Sequence, residues 1–468
     1  MASFWHSVFD EDIRMNRRAF LNQTAKSTAL ISATALSAGK VLGANDRVRV
    51  ALIGCGGRGT HVAKLMAQVP GVEFIGACDV YDDNAKKALE WMGTGAQAHK
   101  DFRKVLERKD VDAVLVGAPD HWHAIPTVLA CEAGKDVYVE KPLAHNIKEG
   151  RAMVSAARNY KRIVQTGTQH RSAPHYQEVQ RIIQSGELGE VRYVRVWNFV
   201  NMFPYGIGHV PDSDPPPGLD WDFYLGPAPK VPFNKSRFLR YFRWFWDYAG
   251  GWITDFGTHR LDTVQQVMGV EAPLSVNASG NRFTLKDDGQ MPDVLQVTYE
   301  YPGFVLSYET ININGHGLGG RLPDMKYYSM RGQNDRPHGE AFYGTNGALL
   351  SDRIGFEIHP EPKAYASQDL YQARGSAPQG FRMEPKQVQS KDATDLHVKN
   401  FIECVRSRQK PNADVEIGHR STTVPHLGNI GYKIKRKLFW DAAKEDFKDA
   451  PDASKLLGRV ARKPWDLI

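Results

Sequence analysis

Four cysteines in 468 residues are too few to staple a fold, and no two of them stand at metal-ligand spacing. Cys55, Cys78, Cys131 and Cys404 fall in a glycine loop or in apolar stretches, where a thiol behaves as a small buried hydrophobe. No segment approaches the roughly 20 consecutive apolar residues that a membrane helix needs, so no integral span is expected. Positive charge is thin as well. Of the formal net charge of +7, residues 1–44 carry +2 (Arg14, Arg17, Arg18, Lys26 and Lys40 against Asp10, Glu11 and Asp12), which leaves 7 − 2 = +5 with no dominant basic stripe. These absences exclude a disulfide scaffold, a metal centre, a helical membrane protein and, for want of an electrostatic footprint, a nucleic-acid-binding protein. Internal repeats and low-complexity tracts are missing too.

What remains is an ordinary globular composition, 42% hydrophobic and 24% charged, long enough for about two or three domains. The first 44 residues read as an extension with an address. Asn16-Arg17-Arg18-Ala19-Phe20-Leu21 precedes a weakly apolar run rich in Ala, Ser and Thr, too short and mild to cross a bilayer. The segment resembles a twin-arginine export signal, which implies the twin-arginine machinery as a partner and a periplasmic destination.

After Asn45 the pattern changes. Val48–Ile53 is a β-branched run that meets Gly54-Cys55-Gly56-Gly57-Arg58-Gly59, and helical spacing continues through Val62, Leu65, Met66 and Val69. In such a strand–glycine loop–helix unit the backbone can approach a pyrophosphate, and the helix N-terminus offers it free N–H groups. A second strand, Val72–Val80, carries Asp79 at 79 − 59 = 20 residues past the last glycine. An acid there accepts bonds from ribose hydroxyls and repels a 2′-phosphate, which predicts NAD rather than NADP.

Strands and helices go on alternating through Val111–Val116, Ile125–Ala133, Asp136–Val139 and Ile163–Thr168, the rhythm of a doubly wound parallel sheet. Ligands of such sheets sit at the carboxyl ends of the strands. Two loops stand at such ends. One is Pro119-Asp120-His121-Trp122-His123; the other is Glu140-Lys141-Pro142, where a ring-locked residue follows a lysine. Lys141 is thereby aimed at the cofactor crevice. Farther on, "GGWITDFGTHRLD" (residues 250–262) spaces Asp255, His259 and Asp262 along one face of a helix starting near Gly251.

Taken in order, the glycine loop, the Pro-Asp-x-x-His loop, Glu-Lys-Pro and the aspartate–histidine segment resemble the Gfo/Idh/MocA oxidoreductase family, over nearly everything after Asn45. The resemblance implies an α/β protein: an N-terminal Rossmann domain (residues 45–168), then an α+β domain (169–468) with a large, mostly antiparallel open sheet. It implies hydride transfer between NAD and a sugar or polyol hydroxyl carbon. Gly54, Gly56, Gly57, Arg58, Gly59, Asp79, Pro119, Trp122, His123, Glu140 and Lys141 would bind the cofactor. Lys141, Asp255 and His259 would act in catalysis, the histidine as an acid/base titrating near working pH. Gln169, Arg171, Trp246, Asp255 and His259 would touch the sugar, and Asp262 would be a helix-surface acid. Two rivals stay open: an NAD-dependent glycoside hydrolase working by oxidation, elimination, hydration and reduction, and a non-catalytic sugar sensor on an enzyme scaffold. The retained Glu-Lys-Pro sequence and the Lys141, Asp255 and His259 set favour the dehydrogenase.

From about Glu190 the alternation becomes strand-like, with Thr345-Asn346-Gly347 as a hairpin signal. One sheet face is left for a partner, and the resemblance implies a homo-oligomer through it. The Pro- and Trp-rich stretch 203–233 and "RYFRWFWDYAGG" (240–251) offer either aromatic faces for a sugar ring or a structural arm. Residues 314–339 are expected to cover the site, and the helical segments 394–407 and 419–438 to pack back on the first domain.

Overall fold

The computed structural model describes residues 47–317, 336–363 and 380–466. The export-signal residues and most of the expected cover (314–339) lie outside them. The first sheet is wholly parallel. Its strands are β1 (Val48–Ile53), β2 (Val72–Cys78), β3 (Gln97–His99), β4 (Ala113–Val116), β5 (Asp136–Val139) and β6 (Val164–Thr166), in the order β3-β2-β1-β4-β5-β6. Helices cover both faces, which is why β4 and β5 are apolar or buried along their whole length. The strand order reverses between β1 and β4, and the crevice opens there. Gly54 leaves β1 with φ +88°, and a Cβ on it would lie 2.4 Å from the Ala118 amide nitrogen, so only glycine passes.

The longer helices are α1 (Gly57–Met66), α2 (Asp82–Leu89), α3 (Ala124–Glu132), α4 (Ile147–Asn159), α5 (Pro174–Gln184), α6 (Trp252–Met268), α7 (Thr394–Ser407) and α8 (Val415–Ile434). The second sheet comprises β7 (Tyr193–Asn201), β8 (Ser275–Asn281), β9 (Val294–Tyr301), β10 (Phe304–Ile311), β11 (Ile313–Asn314), β12 (His338–Tyr343), β13 (Gly347–Asp352), β14 (Gly355–Pro360), β15 (Lys386–Gln389), β16 (Leu438–Asp441) and β17 (Asp446–Lys448). Their order is β15-β14-β13-β12-β7-β10-β9-β8-β16-β17, with β11 on β7. The pairs are antiparallel except β7–β10, which is parallel and makes the sheet mixed. α6 lies close on this sheet: a Cβ on Gly257 would sit 2.9 Å from the Tyr308 hydroxyl. α8 packs on α6, α4 and β8 and so ties the two halves. α7 carries Val398, Phe401, Ile402 and Val405 into the core formed by Val48, Leu52, Val62 and Met66 of the first domain.

The aromatic stretch forms a small core of its own. Trp221, Tyr224, Phe233, Phe238, Trp244, Phe245 and Tyr248 are buried against one another, so the structural reading holds for these rings, although Tyr224 and Phe238 also border the crevice at the end of the first sheet. An isolated bridge between Tyr81 and Leu219 fastens this arm to the first domain.

Burial of histidine makes the fold acid-sensitive. Desolvation depresses His121 to about 3 and His175, His397 and His426 to about 4. Each is neutral in the folded chain and protonates in the unfolded one, so its stabilisation is full above pH about 6.5 and is lost as pH falls toward 4. Asp120 and Glu340, both pushed up to about 7 mainly by burial, work in the opposite sense. The histidines outnumber them. Thermal melts are therefore expected to drop by about 5 °C or more between pH 7 and pH 4.5; an unchanged midpoint would contradict this assignment.

Candidate active site

The crevice above β1 and β4 is a cavity of about 610 Å³ that runs from the glycine loop to Lys141 and Asp255. α1 opens at Gly57 without a side-chain cap, leaving its first N–H groups to the cavity. Added Cβ atoms on Gly56 and Gly57 would meet nothing within 4 Å, so the space over this helix start is open. Asp79, at the end of β2, is a strut of this loop. Its Oδ2 accepts from Cys55 N at 2.8 Å and Asn84 Nδ2 at 3.2 Å, and its Oδ1 accepts from Tyr81 N at 2.9 Å. Burial raises its pKa against those bonds.

The lysine loop is braced from two sides. Arg58 Nε donates to Glu140 Oε1 at 2.9 Å, linking α1 to the end of β5. His123 bridges Pro142 O at 2.6 Å and Ala118 O at 2.8 Å, tying the end of β4 to the bend after Lys141. The Lys141–Pro142 bond is cis. Trp122 faces inward, donating from Nε1 to Tyr224 O at 2.9 Å, with its ring edge on Trp465. Pro119 caps the single turn 120–122 that holds these side chains.

Lys141 reaches across to the second half. Its Nζ donates to Asp255 O at 2.9 Å and pairs with Asp255 Oδ1. The other carboxylate oxygen forms an ion pair with Arg243 Nε at 2.8 Å. Burial alone would raise the Asp255 pKa, but Arg243 and then Lys141 hold it well below the usual carboxylate range. Asp120 stands in the same cluster. Burial, and then the Asp255 charge, push it up to about 7, so it is the carboxyl here that changes protonation near neutrality. Arg243, Asp120, Lys100 and Arg240, which also line the cavity, are the residues that sequence reasoning missed. Asp120, Arg240 and Arg243 stood inside quoted stretches, but none of them was singled out as a site residue.

The remaining expected positions divide. His259 lies one turn beyond Asp255 on α6, stacked on His170 at 5.1 Å, with Nδ1 buried and without a hydrogen-bond partner among the described residues. Burial, then Arg353 and Lys141, depress its pKa far below the ordinary histidine value, so it is a neutral imidazole and not a group titrating near working pH. Gln169 is buried and reaches Asp392 at 3.4 Å. Arg171 pairs with Asp262 at 2.8 Å, and that aspartate is fully buried rather than a surface acid. Arg171 lines a separate surface hollow with Gln177 and Asn412. Trp246 is not at the cleft: its ring faces Tyr432 and Lys433 of α8. Among the described residues no group of three or more His, Cys, Asp or Glu could hold a metal ion, and no helix is long and apolar enough to cross a membrane.

Comparison with known proteins adds the following. A family model described as "Oxidoreductase family, NAD-binding Rossmann fold" matches residues 48–168, and one described as "Oxidoreductase family, C-terminal alpha/beta domain" matches residues 173–304 and 373–467. Inositol 2-dehydrogenase of Salmonella typhimurium is 33% identical over 145 residues, which is 31% of this chain and 43% of that protein's length. scyllo-Inositol 2-dehydrogenase (NAD(+)) of Bacillus subtilis is 24% identical over 371 residues, 78% of this chain and 88% of that protein. The structure of aldose–aldose oxidoreductase from Caulobacter crescentus, complexed with glycerol, has the same fold. Its TM-score is 0.60 at 18% identity, covering 84% of this chain and 99% of that one.

Proposed function

Because the chain belongs to the Gfo/Idh/MocA oxidoreductase family, we propose that it is an NAD-dependent dehydrogenase acting on a CH–OH group of a sugar or cyclic polyol. The observation that carries the reading is the Lys141–Asp255 pair. An amine from the first domain and a carboxylate from the second meet in the cavity that begins at the glycine loop.

The open helix start at Gly56–Gly57 and the strutted loop fit a dinucleotide, whose nicotinamide would accept the hydride. Gly54, Gly56, Gly57, Arg58 and Gly59 would hold its pyrophosphate. Asp79 would face the ribose, which supports NAD over NADP. Lys141, in its uncharged amine form, would take the hydroxyl proton as hydride leaves carbon, Asp255 fixes the amine through two contacts, and Arg243 holds the second carboxylate oxygen. His259, whose Nδ1 has no partner among the described residues, and Gln169 stay candidates for substrate contact, although neither lines the 610 Å³ cavity itself. The test is NADH formation from NAD with a panel containing myo-inositol, scyllo-inositol and D-glucose, repeated with NADP. Turnover with NAD is expected; no reduced cofactor with any member, with cofactor binding intact, would favour the sensor.

Two further parts belong to this proposal. The sheet face bearing Tyr193, Val305 and Tyr343, each partly exposed, is the surface through which copies would pair. Arg17 and Arg18 would send the folded protein through the twin-arginine route to the periplasm, a path compatible with loading the dinucleotide beforehand. An Arg17→Lys/Arg18→Lys variant is expected to stay in the cytoplasm, as read by fractionation. Export at the normal level would remove this part.

A further inference from the structure

Among the described residues, four carboxyl groups line the crevice: Asp79, Asp120, Glu140 and Asp255. Three of them are engaged. Asp79 accepts the bonds of its loop, Glu140 takes Arg58 Nε at 2.9 Å, and Asp255 is divided between Lys141 and Arg243. Asp120 is the exception, since no other described residue donates a hydrogen bond to its carboxylate. It keeps 7% of its surface exposed and borders the cavity. Its backbone is pinned. His121 N donates to Tyr248 O at 3.2 Å, the side chains of His121 and Trp122 both meet Tyr224 O, and His123 is held at both ring nitrogens. The carboxyl therefore has a fixed place and an unassigned proton.

The charges that act on it come from three elements: Asp255 on α6, Lys141 after β5 and Arg243 on the arm. Burial and Asp255 favour its neutral form, and the two cations favour its charged form. Its neighbours His121 and His123 are kept neutral by burial. Arg58 with Glu140, Lys100 with Asp82, and the exposed Arg240 are the other charged groups at this cavity.

We propose that Asp120 receives, through Lys141, the proton released when the substrate hydroxyl is oxidised. This inference rests on the dehydrogenase reading. A lysine paired with a carboxylate rests as ammonium, so its amine can act only after one proton has left. Asp255 cannot take that proton, because Arg243 and Lys141 hold it well below the usual carboxylate range. Asp120 can. Lys141 gives it one proton, the freed amine takes the hydroxyl proton, and hydride leaves carbon for the nicotinamide as the C=O bond forms. Charge then balances inside the cavity. A cationic ring and an anionic Asp120 become a neutral ring and a neutral acid, whose proton later passes to solvent.

Calorimetric titration of the full chain with NAD and with NADH, in two buffers of different ionisation enthalpy, counts the protons exchanged. Near pH 7 the cationic ring favours a charged Asp120 and the reduced ring does not, so the two counts are expected to differ by about half a proton. Asp120→Asn mimics the protonated acid. In that variant the difference should vanish while NADH affinity stays within about threefold. With the best substrate of the panel, kcat for oxidation should rise with pH through neutrality as the acid ionises. Asp120→Asn should lose that inflection and run about 10- to 100-fold slower, and Asp120→Glu should restore it. Equal proton counts for NAD and NADH in the parent, or an inflection that survives in Asp120→Asn, would overturn the proposal and leave the dehydrogenase reading standing. Failure of the parent to bind either cofactor would sink that reading and this inference with it.

Discussion

Replacing Lys141 with methionine is expected to lower kcat by about 10²- to 10⁴-fold while NADH binding stays within about threefold, since a positioned proton acceptor contributes rate rather than affinity. Methionine keeps the length and apolar stem of lysine and removes only the amine. Asp255 then retains Arg243, so the carboxylate is not stranded and the variant should fold. Fluorescence titration with NADH and steady-state turnover on the best substrate of the panel separate binding from chemistry. Turnover within about tenfold of the parent would sink the role given to the amine. A sensor, by contrast, would keep its sugar affinity and show no rate to lose.

The second large effect is on stability. Arg260 of α6 and Glu340 of β12 are both fully buried and paired at 3.1 Å, and Tyr176 and His338 also bond the guanidinium. Arg260→Met leaves the buried carboxylate without this cation, with only the Tyr176 and Ser351 hydroxyls bonded to it, which is expected to cost about 3–5 kcal/mol in chemical denaturation. The loss should depend on pH with a definite sign. Burial pushes Glu340 up to about 7 even with Arg260 present, so a stranded carboxyl protonates easily. The penalty is smaller at pH 5.5 and grows as pH rises past 7. Adding Glu340→Met should recover most of the loss, because two apolar side chains replace the pair. A double variant no more stable than the single one would show that the arginine contributes through packing instead.

Five strands of the parallel sheet were legible as short apolar or β-branched runs, a pattern that burial on both faces imposes, whereas the exposed edge strand β3, Gln97-Ala98-His99, carries no such pattern and was not read. The parallel β7–β10 pair was not legible either. Its strands lie more than 100 residues apart, and alternation alone does not say which neighbour a strand takes. Lys141 and Asp255 could be read because each sits in a short local device: a strand end before proline, and the first turn of a helix. Arg243 could not, since its pairing depends on where a non-periodic aromatic arm folds. Trp246 was misplaced for the same reason. Neighbouring rings in that arm point to opposite sides, and this one turns toward α8. His259 was assigned an ordinary titration because composition carries no record of depth.

The insertion of α7 into the first domain's core has a consequence for how the protein is made. Val398, Phe401, Ile402 and Val405 seal the flank of α1, yet they emerge from the ribosome some 240 residues after the last strand of that domain. The nucleotide-side half therefore waits, with part of its greasy flank bare, while more than 200 further residues are made, and its closure is a late event that chaperones have time to meet.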